Sequence, residues 1–265
     1  MISVTFDTNT VDKAARPERH PRDARRSAYL KVHHALSRGG IQGFFSETIV
    51  TLEGVQNKDR VPVFGSTRLQ HREESTGPRQ ITLSISVCQD RLPPHPEASR
   101  RVAAARAMGM RALRGPSRFG SFRVRDDDHT FYAPDASVFE LVERMEKANT
   151  VASAIEAREV GRVVPLSLGL KFSARAGATG EWWLRGLQRA QGPDEHRHVQ
   201  KAIREWADAD SVASHVGYGV HLFCSEDRGK STGGMPSVFD ETNRAWLAAK
   251  WGVRFVSLTE LANMI

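Results

Sequence analysis

Four short apolar runs constrain this chain more than any other feature: Ile2 to Phe6, Ile41 to Phe45, Val220 to Cys224 and Val253 to Ser257. They are continuous rather than alternating, which is the pattern of strands buried on both faces. Between and around them lie stretches with helical spacing. Arg22 to Ser37 carries apolar residues among charges and stops at Gly39-Gly40, and a second helix begins near Thr48 and runs toward Gln56. Lys201 to Asp208 and Asp210 to Tyr218 read as two successive helices. Asp240 to Trp251 is a helix with Asp240 as its N-cap and Gly252 as its stop signal, and a short helix from Thr259 ends the chain. Strands alternating with helices predict an α/β domain of three layers, α/β/α, around a parallel sheet.

The stretch from 58 to 200 is less regular and reads as a large basic insertion into a core made of residues 1–57 and 201–265. Gln80 to Gln89 alternates as a strand does, while Glu97 to Leu113 and Val138 to Lys147 read as helices. Of the 38 Lys and Arg against 31 Asp and Glu in the 265 residues, 23 against 17 fall within 58–200. Most of the positive excess therefore sits in the insertion, and a basic surface makes nucleic acid a natural partner. Arg100 to Arg125 holds eight arginines and no acid, with Phe119 and Phe122 interleaved. Arg111, Arg114, Arg118, Arg123 and Arg125 are the candidates for gripping phosphates while a ring stacks on a base.

The acids fall where a parallel sheet binds its ligands, at the carboxyl ends of strands. Asp7 closes the first run, Glu47 follows the second with Glu53 six positions on, and Asp227 lies just beyond the third in CSEDRG. Asp210 and Asp208 precede that third strand. Carboxylates crowded together repel one another unless a cation neutralises them, and hard divalent ions with oxygen ligands such as Mg²⁺ or Mn²⁺ suit such a set. An acidic pocket with a basic surround is the pattern of a metal-dependent nuclease. A single acid after a strand is also a common helix N-cap, so the joint pattern carries the argument.

These residues resemble the PIN-domain nucleases. FDTNT at Phe6 to Thr10 resembles the family's first strand with its Asp-x-Asn, FFSETIVTLEG its second strand and glutamate-bearing helix, and ADADSVASHVGYGVHLFCSED the stretch in which an aspartate opens a small-residue helix before a strand and Ser/Thr-x-Asp. GVRFVSLTEL resembles the closing strand. The resemblance covers residues 1–57 and 201–265 and leaves 58–200 unaccounted for. It implies a Mg²⁺- or Mn²⁺-dependent endoribonuclease leaving a 5′-phosphate and a 3′-hydroxyl. Asp7, Asp210 and Asp227 would be metal ligands, Asn9 and Ser225 supporting hydrogen-bonding groups, and Asp208 a neighbour of the site. Both Glu47 and Glu53 stay candidates for the site glutamate. Glu53 is nearer the family's helical depth but one residue beyond it.

Two other readings compete. A phosphatase of the haloacid-dehalogenase type also places an aspartate after its first strand, but needs a second one two positions on, where this chain has Asn9. A catalytically degenerate PIN-like protein that only binds RNA is the non-enzymatic alternative. An inhibitor protein or a homodimer stays open. RGKSTGG from Arg228 lacks the leading spacing of a phosphate loop, and no His-x-x-x-His spacing occurs. Trp182-Trp183 reads as core. Two cysteines, no long apolar leader and no run near the ~18 apolar residues of a membrane span lead to the expectation of a cytoplasmic protein.

Overall fold

The structure, a computed structural model, describes residues 1–77, 80–88, 93–117, 124–178, 180–229 and 236–265, with the backbone alone at 69, 71–77 and 80–88. In chain order the elements are β1 (Ile2–Phe6), α1 (Thr8–Ala15), α2 (Arg26–Ser37), β2 (Ile41–Ser46), α3 (Thr48–Thr51), α4 (Arg60–Gly65), β3 (Arg68–Gly77), β4 (Gln80–Cys88), α5 (Pro96–Ala107) and β5 (Arg111–Leu113). They continue with α6 (Val138–Glu156), α7 (Val163–Arg175), α8 (Trp183–Gly186), α9 (Gly192–Gly217), β6 (Leu222–Cys224), α10 (Glu241–Trp251), β7 (Phe255–Val256) and α11 (Leu258–Met264).

Five strands form a central sheet in the order β5-β2-β1-β6-β7, parallel throughout. The pleat explains why the strands need no polar face. Val4, Phe6, Leu222 and Cys224 pack with Val11, Tyr29, Val32, Leu36 and Leu261 of α1, α2 and α11 on one side. Phe223, between two of them in sequence, points the other way, onto Val151, Val212, Val216 and Leu247 of α6, α9 and α10. Helices cover both faces, as the apolar runs require. β3 and β4 pair as a separate antiparallel hairpin. None of the described helices is long and apolar enough to cross a membrane.

Several boundaries differ from the sequence expectations. The edge at residue 200 is not an element boundary: α9 runs unbroken through it, and β5 from within 58–200 is the sheet's edge strand beside β2. Glu97 to Leu113 is a helix only as far as Ala107. Gly109 then takes a left-handed φ of +79°, and the chain turns into β5. The helix near Thr48 closes after Thr51 rather than reaching Gln56. Lys201–Asp208 and Asp210–Tyr218 are one helix, so Asp210 does not open a helix. No Gly or Pro interrupts residues 201–216, and Trp206, Ala209, Val212, Ala213 and Val216 keep an apolar face turned to the core throughout. Asp240 does cap α10, accepting from Asn243 N at 2.7 Å, and Gly252 ends it at φ +70°.

Candidate functional site

β1 and β6 are neighbours, yet the chain leaves β1 toward β2 and β5 and leaves β6 toward β7. At such a reversal of strand order the connecting segments diverge and open a crevice at the carboxyl ends of the strands. Asp7 stands there. Its backbone is extended (φ −68°, ψ 160°), so it caps α1 and accepts from Thr8 N at 2.7 Å. Its other oxygen, Oδ2, accepts from Asn9 Nδ2 and from Ser225 Oγ, both at 2.7 Å. Asn9 Oδ1 accepts from Glu226 N at 3.1 Å, and Ser225 Oγ accepts from Asp227 N at 3.0 Å. One continuous network thus ties the loop after β1 to the loop after β6, with Asp7 fixed at its centre.

Three further acids face Asp7. Glu53 accepts a short hydrogen bond from the Thr8 hydroxyl. Burial pushes the Asp7 carboxyl up to about 7, with Glu53 and Asp227 adding repulsion, against the hydrogen bonds from Ser225 and Thr8. Burial also raises Glu53, opposed by the Thr8 hydroxyl and by the charges of Arg60, Arg101 and Arg204. Asp208 on α9 lies well above the usual carboxylate range, through burial first and then through Asp7, Glu53, Glu205 and Asp227. Asp227 stands at the exposed rim, its Oδ1 accepting from Gly229 N at 2.8 Å.

Asp210 leaves α9 on a different side. Two residues along a helix is a rotation of about 200°, so Asp210 turns away from the face that Asp208 occupies. It is buried and accepts from Trp206 Nε1 at 2.8 Å. Glu47 has both oxygens engaged: its Oε1 accepts from Gly115 N and its Oε2 from Tyr132 OH, both at 2.6 Å, tying the end of β2 to the chain beyond β5. Glu47 and Asp210 line the same small cavity of about 10 Å³, room for about one water molecule.

Glu205 was not anticipated from the sequence. It sits three residues before Asp208, hence on the same side of α9, accepts from Val238 N at 2.6 Å, and is pushed by burial up to about 7. The i, i+3 spacing of Glu205 and Asp208, both inside the expected helix Lys201 to Asp208, was the available signal. Of the candidate arginines, Arg111 donates to Thr130 O, Arg114 lies 3.7 Å over the Tyr132 ring, and Arg125 pairs with Asp127 at 2.8 Å. Arg118 and Arg123 lie outside the described residues. Trp183 is core, packed edge-on to Trp206.

The donor chemistry of Asp7, Glu53, Asp208 and Asp227 fits a hard divalent cation: only oxygens, with an excess of negative charge that burial makes costly. Among the described residues no three His, Cys, Asp or Glu side chains form a group already spaced to hold an ion; the four carboxylates influence one another through space. Comparison of the chain with protein-family models, with curated proteins and with solved structures gives no match.

Proposed function

We propose that this chain is a PIN-like, Mg²⁺- or Mn²⁺-dependent endoribonuclease, with residues 58–200 as a basic elaboration of the core. The observation that carries the reading is that Asp7, Glu53, Asp208 and Asp227, delivered by the segments after β1, α3 and β6 and by α9, act on one another's charge, although no three of them are spaced as an ion-holding group among the described residues. Relative to the expected ligand set, Asp208 takes the place of Asp210, and Glu53 rather than Glu47 is the glutamate. A divalent ion bound there would supply activation of water and neutralisation of charge developing on a phosphodiester. The chain's own contribution is to fix Asp7 through Asn9 and Ser225, with Glu53, Asp208 and Asp227 supplying the surrounding negative charge. It also places Arg60, Arg101 and Arg204 around Glu53, where they can meet a nucleic acid backbone. A reducing, cytoplasmic setting suits the free, buried Cys224.

The test is incubation of the full chain with end-labelled RNA and DNA in Mn²⁺, in Mg²⁺ and in chelator. Internal cleavage of RNA with either ion, absent in chelator, supports the reading. No cleavage with any divalent ion removes it, and release of phosphate from a small phosphoester without RNA cleavage would replace it with phosphatase chemistry.

A further inference from the structure

Beside Glu53 a cleft of about 540 Å³ opens between the turn after α3 and the first turns of α5, within the size range of small-ligand sites. Lys58, Arg60, His95 and Arg101 line it together with Glu97. Its two guanidinium groups are in an unusual state. Arg60 is only 3% exposed and donates to two backbone carbonyls, Gln200 O at 2.7 Å and Val55 O at 3.3 Å. It forms no ion pair among the described residues, and burial lowers its pKa to about 10. Arg101 has a buried Nε with no hydrogen-bond partner. Burying a charge without a hydrogen-bonded counter-charge is costly. Two acids line the cleft with them: Glu53, whose charge acts on both guanidinium groups without forming an ion pair, and Glu97, which is already engaged by Arg16 at 2.6 Å, by Arg100 at 2.9 Å and by Arg19.

We infer that this cleft is a subsite for a single strand of nucleic acid, in which Arg60 and Arg101 take the backbone phosphate next to the one positioned at the acid cluster. The inference rests on the nuclease reading for its choice of ligand. A guanidinium matches a phosphate's oxygens with paired donors, and neither of the two here is in an ion pair among the described residues. The cleft is continuous with the acid cluster through Glu53, which lines it and also faces Asp7. Its volume admits about a nucleotide, and Arg60, only 3% exposed, lies in its wall, so the subsite suits a single strand rather than a rigid duplex. Val55 and Ala98 give the same cleft an apolar wall against which a sugar or base can rest.

The test is fluorescence anisotropy of a labelled eight-nucleotide single-stranded RNA with the full chain in chelator, over a range of salt. Arg101→Ala is expected to weaken binding about tenfold and lower the salt slope by about one, the signature of one lost phosphate contact. Arg101→Lys should recover part of both, and Arg197→Ala, an exposed arginine paired with Asp194 at the start of α9, should change neither. As a measurement on the unmutated chain, a neutral methylphosphonate linkage is walked along the strand. One position should reproduce the tenfold loss, and that position should become silent in Arg101→Ala. Unchanged affinity and slope in folded Arg101→Ala, no sensitive linkage, or equal binding of a duplex of the same sequence overturns the subsite. Cleavage in Mn²⁺ is scored separately. Binding as expected with no cleavage removes the nuclease reading and keeps the anion subsite, whereas cleavage with Arg101→Ala silent in binding removes the subsite alone.

Discussion

Asp208 and Asp210 stand two residues apart on α9 and serve different neighbourhoods: Asp208 faces Asp7, Glu53 and Asp227, while Asp210 accepts a 2.8 Å hydrogen bond from Trp206 Nε1. Helix geometry separates their directions by about 200°. Asp208→Asn should therefore lower RNA cleavage by more than about 100-fold, beyond the usual effect of losing a supporting group around a metal, with little change in stability. Asp210→Ala should cost about 1–2 kcal/mol of stability by leaving the indole N–H buried and unanswered, while the folded fraction keeps its cleavage rate. Urea denaturation and single-turnover cleavage on both variants check the division, and loss of cleavage in folded Asp210→Ala with retention in Asp208→Asn would reverse it.

Glu47 and Glu53 divide in the same manner. Glu47→Leu removes the acceptor for Gly115 N and Tyr132 OH, both in a buried setting, and should destabilise the fold by about 2–4 kcal/mol. Glu53→Gln can still accept from the Thr8 hydroxyl, so its folding should stay within about 1 kcal/mol of the parent. Its cleavage should fall at least about 100-fold, because the change removes a charge from the cluster. The pair of denaturation curves, read beside the pair of cleavage rates, decides the assignment.

The Asp7 carboxyl sits at about 7 in the folded chain against an ordinary 3.8. Between those values the folded chain holds a proton that the unfolded chain has released. Stability is thus lost as pH rises from about 4 to about 7, and the penalty is complete above that. Asp7→Asn removes the penalty and keeps a side chain able to cap α1. In chelator at pH 8 it should unfold about 2 kcal/mol later than the parent, a gain that shrinks toward zero at pH 4. Denaturation at the two pH values measures this, and a gain equal at both would show that Asp7 titrates normally. The same variant should have no cleavage activity.

A cation that relieves this repulsion must stabilise the fold whether or not catalysis is assayed. Mn²⁺ at about 100 times its dissociation constant should add about 2.7 kcal/mol, or roughly 5–10 °C in melting temperature for a domain of this size. Asp7→Asn and Asp208→Asn should each lose most of that shift, and Asp210→Ala should keep it. A parent chain whose melting temperature ignores Mn²⁺ and Mg²⁺ at millimolar concentrations would leave the carboxylates without an ion to hold.

The sequence by itself determined what is local. Continuous apolar runs read as strands covered on both faces, and β1 and β2 begin with their runs at Ile2 and Ile41, while β6 and β7 begin two residues into theirs, at Leu222 and Phe255. Asp240 and Gly252 bound α10 because a side-chain acceptor and a left-handed turn are properties of single residues. Asp7, Asn9 and Ser225 were legible as a group because each lies within three residues of a strand end. The tertiary structure alone decided the rest. Whether Asp208 or Asp210 faces the cleft depends on the phase of α9, which is set by what its apolar residues pack against and not by either aspartate. Glu47 is claimed by Gly115 and Tyr132, partners almost 70 and 85 residues away that no spacing rule can foresee. The short strand β5 owes its place to pairing with β2 rather than to three residues of its own, since a strand that brief carries too little pattern to announce itself.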